Sequence, residues 1–312
     1  MFFFYERSSR FFNEIMKDNM KPTLTVFTTT YNRAYSLPLG YEALKRQTSK
    51  DFKWLIVDDG STDNTRELVM QWINEGIIPI EYYYKENGGM HSGYNEAFKH
   101  IDTELNVPID SDDYMTDNAV ELIVGNWNKF KNDDKYAGLV GLDIYKDGKV
   151  VGTTFPEGIK AVRSHEMQAV HHVYCDKKYV FRTELLKKYL PYPEYEGEKF
   201  VPLNYPYHLV CQDYELLCFN EPWCVVEYQP DGSTLNMFRQ YRRNPQGFAY
   251  ERNIKMRIYP TFKYRFKNAI HYVSCCMFSK KVNLFKASNK PLVLLAIPFG
   301  IALNLYIRYK TK

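Results

Sequence analysis

Four polar clusters in the first 113 residues carry side chains suited to chemistry. Asp110-Ser111-Asp112-Asp113 sets carboxylates one residue apart, a spacing that can hold a hard divalent cation through oxygen. Asp58 and Asp59 are adjacent and run into Gly60-Ser61-Thr62-Asp63. A phosphatase-type Asp-x-Asp-Gly-Thr needs a one-residue gap, so that chemistry is excluded. Thr28-Thr29-Thr30-Tyr31-Asn32-Arg33 offers hydroxyls, a ring for stacking and a guanidinium for a phosphate. Asn87-Gly88-Gly89 offers a turn where backbone can approach a ligand. Each cluster taken singly has a plainer reading. An Asp-rich turn caps a helix, Asn-Gly-Gly is an ordinary turn, and His91 reads equally as a surface histidine.

Their shared position in the chain decides between these readings. Short apolar runs at 24–27, 54–57, 77–84 and 105–109 read as buried strands, and each ends in one of the four clusters. Helical spacing follows over 35–47, 65–74 (with Gly76 as a stop), 92–100 and 117–127. The alternation predicts an α/β fold with a parallel sheet and helices on both faces. Ligands in such sheets bind beyond the carboxyl ends of the strands, where all four clusters lie. A dinucleotide-binding oxidoreductase would need Gly-x-Gly-x-x-Gly after the first strand, which this chain lacks. Beyond residue 136 the pattern changes. Strands are expected at 136–145 and 149–154 around Asp147-Gly148, a helix near 183–189, loop over 189–207, a strand over 216–228, and helices from 239 onward.

These clusters resemble the family 2 glycosyltransferases of the GT-A fold. The matching text is Thr-Thr-Tyr-Asn-Arg at 29–33, Val-Asp-Asp-Gly-Ser-Thr-Asp at 57–63, Asn-Gly-Gly at 87–89 with Asn95, and Asp-Ser-Asp-Asp at 110–113. Gly-Glu-Lys-Phe-Val-Pro at 197–202 and Glu-Tyr-Gln-Pro-Asp-Gly at 227–232 look like bacterial members that build surface polysaccharides. The resemblance implies a single Rossmann-like, mostly parallel nucleotide-binding sheet. It also implies inverting transfer of a sugar from a nucleotide diphosphate sugar, a UDP-sugar first, assisted by Mn2+ or Mg2+. By the same resemblance Asp112 ligates the metal, and Asp110 shares it while facing the ribose and sugar. Asp59 meets the base, Asp58 stands beside it, and Thr29 and Tyr31 line the base pocket. Arg33 meets a phosphate, and Ser111, Asn87, Gly88, Gly89 and Asn95 complete the donor site. The cation would stabilise the charge that develops on the leaving diphosphate.

One element of the family pattern is broken. Inverting transfer needs a base to take the acceptor proton. The resemblance places that carboxylate just after Phe-Val-Pro, where this chain has Leu203. Glu198 is the leading substitute and Asp213 the next, with Asp176 also open and His171-His172 as a remote alternative for the metal. A catalytically weak sugar-nucleotide-binding assembly subunit is the competing reading. Gln240-Tyr241-Arg242-Arg243 approaches a processive-synthase motif, but Asn244 stands where that motif has tryptophan, favouring single-sugar transfer.

Charge divides the chain. The net charge of +4 hides a C-terminal quarter, 239–312, in which 16 Lys and Arg face one acid, Glu251. The body is correspondingly acidic, which excludes a uniformly cationic nucleic-acid binder. Residues 292–307 form an apolar run shorter than the roughly 20 residues of a spanning helix and are flanked by lysines and arginines. Three parts are expected: an N-terminal extension at 1–21, a catalytic domain at 22–238 (donor half to 125, acceptor half beyond), and a basic helical region at 239–312 that meets a membrane surface. The acceptor is expected to be polyprenyl-linked or a polysaccharide. Six cysteines without a C-x-x-C pair, and no secretory leader, point to the cytoplasmic face of the membrane.

Overall fold

The computed structural model of the chain describes residues 21–227 and 236–312. The expected extension lies outside these residues apart from Lys21, as does the 227–232 motif beyond Glu227.

The donor half follows the sequence pattern closely. Strands β1 (Leu24–Thr30), β2 (Phe52–Asp58), β3 (Ile80–Tyr84) and β4 (Leu105–Pro108) pair in parallel in the order 3-2-1-4. Every residue of β2 is buried, as a strand covered on both faces requires. Its alternate side chains part to the two faces. Trp54 and Ile56 join Val26 in one apolar cluster, while Leu55 and Val57 join Phe27 in the other. The first cluster takes helices α1 (Leu37–Arg46), α2 (Thr65–Glu75) and α4 (Ala119–Phe130), and the second takes α3 (Met90–His100). Helix α2 starts where the Asp63 carboxylate accepts from the amide and hydroxyl of Thr65, at 3.1 and 2.6 Å. It stops at Gly76, whose φ of 63° suits a residue without a β-carbon.

Beyond β4 the sheet becomes mixed. Strands β5 (Tyr114–Met115), β6 (Tyr136–Ile144), β7 (Ala161–Val162), β8 (Lys177–Arg182) and β9 (Glu215–Val225) extend it, with β8 antiparallel between β4 and β6. Two expectations change here. Residues 149–154 form no strand: after the Asp147-Gly148 turn, only a bridge between Ile144 and Val150 remains. Residues 177–182 are a strand before the short helix α5 (Thr183–Lys187), because Val180 and Phe181 fill the space beside β4. The expected loop of 189–207 ends in helix α6 (Tyr205–Val210), buried along its whole length.

The basic quarter folds as helices α7 (Met237–Arg243), α8 (Pro245–Ile258), α9 (Phe262–Phe278) and α10 (Lys290–Lys310) around its own core of Phe248, Met256, Val273, Val293 and Ala296. Among the described residues α10 is the one helix long and apolar enough to cross a membrane. The single acid of this quarter is used inside it. Glu251 is buried, hydrogen-bonded to the buried Lys255 and 3.5 Å from Arg252 Nε. Burial disfavours its charge, but the two cations outweigh that and hold its carboxyl below the ordinary range. Removing one partner of a buried pair leaves the others uncompensated. Glu251→Gln is therefore expected to cost about 3–5 kcal/mol in chemical denaturation. Pairing it with Lys255→Met should recover most of that loss.

Candidate active site

A cavity of about 840 Å³ opens at the carboxyl ends of β1 to β4. One wall is built from the strand-end clusters: Thr29, Tyr31 and Arg33 after β1, Asp59 after β2, Asn87 and Gly89 after β3, and Asp110 to Asp113 after β4. The parallel register brings these ends level, with Thr30 beside Asp58 and Asp58 beside Tyr84. The opposite wall comes from residues beyond 125, including Asp143 on β6, Asp176 to Tyr179 at β8, Leu203 just before α6, and Tyr207 and His208 on it.

Much of the motif holds loops together. Asn32, with a left-handed φ of 53°, accepts at its Oδ1 from the amides of Thr62 and Asp63, joining the first two loops. Asp58 accepts from the Ser61 amide at 2.7 Å and the Tyr82 hydroxyl at 2.7 Å, and it does not line the cavity. Asp59 does line it, buried to 3% exposure. Its Oδ1 accepts from Lys85 Nζ and the Gly88 amide, and its Oδ2 from the Gly89 amide at 2.7 Å and Asn87 Nδ2 at 3.1 Å. Both oxygens are thus occupied by the third loop, which leaves little acceptor capacity for a base. A glycine requirement at the site is also internal. A β-carbon on Gly89, at φ 95°, would sit 2.0 Å from the Lys199 carbonyl oxygen.

Tyr31 is half exposed over the cavity, free to stack. Arg33 contacts the hydroxyl of Tyr35 and lies over its ring at 5.5 Å. Asp113 is held by the Glu227 amide. Burial raises its carboxyl pKa, and repulsion from Asp110 and Asp112 adds to this against the pull of Lys178. Asp143 is pushed up to about 6 by burial, with Lys178 at 3.9 Å opposing the shift. Lys178 is itself buried, yet Asp143, Asp113 and Asp110 keep its pKa above the ordinary lysine value. The cavity floor is thus a cluster of carboxylates around one fixed cation. Sequence reasoning missed Lys178 and Asp143; two lysines opening a strand-like run were the available cue.

Three expected site residues stand elsewhere. Glu198 accepts from the amides of Gln246 and Gly247, both at 2.9 Å, so its carboxylate sits on the N-terminus of α8 rather than in the cavity. Asp213 is an exposed residue of the turn after α6 and does not reach the cavity. Asn95 binds the backbone of Tyr192 in both directions, at 2.7 and 2.9 Å, and holds that loop to α3. Gly88 lies behind the wall, and His172, exposed beside Tyr174, is not among the lining residues. Leu203 does line the cavity, so the position where the family pattern wants a carboxylate faces this space with an apolar side chain. Asp176 lines the cavity from the same half.

The family model described as Glycosyl transferase family 2 matches residues 25–190. The chain belongs to glycosyl transferase family 2. Its relatives include an uncharacterized glycosyltransferase of Rickettsia typhi, 30% identical over 38% of this chain and 36% of that one. Another is the teichoic acid poly(glycerol phosphate) polymerase of Staphylococcus epidermidis, 30% identical over 36% of this chain and 15% of that one. The chain therefore spans well under two thirds of the curated relatives it matches. The fold is that of TarS residues 1–349 from S. aureus, solved with UDP, at TM-score 0.55 and 17% identity over 93% and 91% of the two chains. It is equally that of the mannosyltransferase PcManGT from Pyrobaculum calidifontis, solved with GDP-Man and Mn2+, at TM-score 0.56 and 18% identity over 94% and 83%. The chain thus carries a family 2 glycosyltransferase domain on a GT-A fold.

The glycine contact gives a direct test. Gly76 also has a positive φ but faces open space, so Gly76→Ala should cost about 1 kcal/mol. Gly89→Ala must also displace the Lys199 backbone. It is expected to lower the denaturation midpoint at least twice as far as Gly76→Ala and to abolish nucleotide binding by calorimetry.

Proposed function

We propose that this glycosyltransferase is an inverting, metal-assisted enzyme of cell-surface glycan synthesis. It would move a sugar from a nucleotide diphosphate sugar, a UDP-sugar first, to a polyprenyl-linked or polysaccharide acceptor at the cytoplasmic membrane face. The observation that carries the reading is the facing of two walls across one cavity. The strand-end loops offer a donor wall, and Asp176, Leu203, Tyr207 and His208 offer an acceptor wall. UDP is tested first because TarS was solved with UDP, and GDP beside it because PcManGT, an equally similar fold, was solved with GDP-Man.

The carboxylates suit a divalent cation. No group of three or more His, Cys, Asp or Glu cages an ion among the described residues. Mg2+ and comparable hard cations in phosphate chemistry take one or two carboxylates and complete their shell from the substrate phosphates. Asp110 and Asp112 would supply those two. When bound, the cation would offset charge on the departing diphosphate.

The acceptor hydroxyl must lose its proton as it attacks the anomeric carbon. Neither Glu198 nor Asp213 is positioned for this, and Leu203 cannot do it. We assign the role to Asp176, the remaining carboxylate among the candidates and one that lines the acceptor wall. Membrane association through 239–312 would bring a lipid-linked acceptor to that wall.

Thermal shift with UDP and GDP, each with and without Mn2+, checks the donor. UDP with Mn2+ should raise the melting temperature most, and saturation at a hundredfold its Kd corresponds to about 2.7 kcal/mol. Asp112→Ala should remove the Mn2+-dependent part of the shift and cut donor turnover by about a hundredfold or more. Asp176→Asn should keep the UDP shift while kcat falls by about 10²–10⁴. Nucleotide binding without turnover in the wild type would instead favour the assembly-subunit reading that Leu203 raises.

A further inference from the structure

Helix α10 has two apolar faces, and only one is covered. Leu292, Val293, Ala296, Gly300, Asn304 and Ile307 are buried in a stripe at helical spacing. That stripe lies along α9. A β-carbon on Gly300 would meet Val273, Asn304 Nδ2 donates to the Ser274 carbonyl, and Arg308 donates to the Met277 carbonyl. The opposite face presents Leu294 at 61% exposure, Leu295 at 56% and Leu305 at 59%, with the half-exposed Phe299 and Tyr306 at its edge, where they also touch Phe266 and Phe238. No charged residue occurs between Lys290 and Arg308. An uncovered apolar strip about 18 Å long is unusual on a water-facing surface.

We propose that this face of α10 is embedded in the plane of an anionic bilayer leaflet, and that the helix does not span it. The inference rests on the membrane association proposed above and names the surface and its depth. Charge fixes the occupant. Lys286 and Lys290 are exposed at the start of the helix, Arg308, Lys310 and Lys312 at its end, and Lys280 and Lys281 in the connection that leads to it. No acid follows Glu251, so these cations face outward without carboxylates of their own segment, as headgroup phosphates require. Phe285, 77% exposed beside Lys286, adds a second apolar point at the same end.

The packing excludes a span. Contacts run in the same order along both helices, from Phe266–Phe299 through Val273–Gly300 and Ser274–Asn304 to Met277–Arg308. Helix α9 is thus parallel to α10 and cannot be left behind if α10 crosses. It carries Lys263, Arg265 and Lys267 in its first two turns, and Lys280 and Lys281 follow it. Carrying those cations through the hydrocarbon is far costlier than laying one apolar face at its boundary.

The test uses the purified full chain and vesicles of phosphatidylcholine with or without 30% (about a third, as in strongly anionic leaflets) phosphatidylglycerol. Flotation is expected with the anionic vesicles and not with phosphatidylcholine alone. Lys286→Ser and Lys290→Ser should each weaken binding roughly fivefold. All four native tryptophans are buried in the catalytic body, so a new one reports alone. Leu294→Trp and Leu305→Trp place a probe on the same face about 16 Å apart along the axis. Brominated lipids should quench both to the same shallow depth. Leu294→Glu with Leu305→Glu should abolish flotation while the UDP melting shift persists. Three results would overturn the proposal. Failure to float removes membrane association altogether, whereas unequal depths at 294 and 305 keep it and indicate a span. A solution dimer that the double glutamate variant dissociates, with no vesicle binding, assigns the face to a second copy of this chain.

Discussion

The segment 198–200 is the point through which the rest of the molecule is joined. Its Glu198 carboxylate caps α8, its Lys199 amide donates to Asn244 Oδ1, and the Lys199 carbonyl lies against Gly89. On the far side, a β-carbon on Gly247 would sit 2.4 Å from the Phe200 carbonyl oxygen. One extended stretch therefore packs backbone to backbone with the third donor loop on one side and the first turn of the basic bundle on the other. The carboxylate at a helix N-terminus is favourable in charge as well as in hydrogen bonding.

That arrangement explains why donor-site text and C-terminal text belong to one unit. Asp59 fixes Asn87 to Gly89, Gly89 fits Lys199, and Glu198 fixes α8. Three short-range contacts relay position from the end of β2 to the start of a helix nearly 190 residues later. The helical bundle has its own apolar core, and it meets the body both at this seam and along α6, where Tyr205 packs on Tyr250 and His208 on Tyr259.

The fold of the donor half is legible because its determinants are local. Apolar runs of strand length, the Gly76 stop and the Asp63 cap all act within a few residues. Four strand ends in parallel register then bring the motif residues to one wall without further information. Misreadings fall where a residue's partner is distant in sequence. Glu198 reads as the leading candidate base until α8, 48 residues on, places two amides in front of it. Asn95 reads as a ligand residue until the loop at Tyr192 closes on it. Lys177–Arg182 has no assignment from sequence, but as β8 it brings Lys178 to Asp143 while Val180 and Phe181 fill the sheet. The cavity position of Leu203 follows from the family pattern, whereas the place of Asp176 in the lining depends on how β8 enters the sheet.

The seam at 198–200 also bears on how such a chain can diverge. Two glycines and one carboxylate leave this stretch no room for inserted or enlarged residues. The facing wall is different: Gln168 and Leu203 line it from separate segments, each replaceable without disturbing the seam. New acceptor preferences can therefore arise by drift along that wall, on a frame whose own junction tolerates almost no variation.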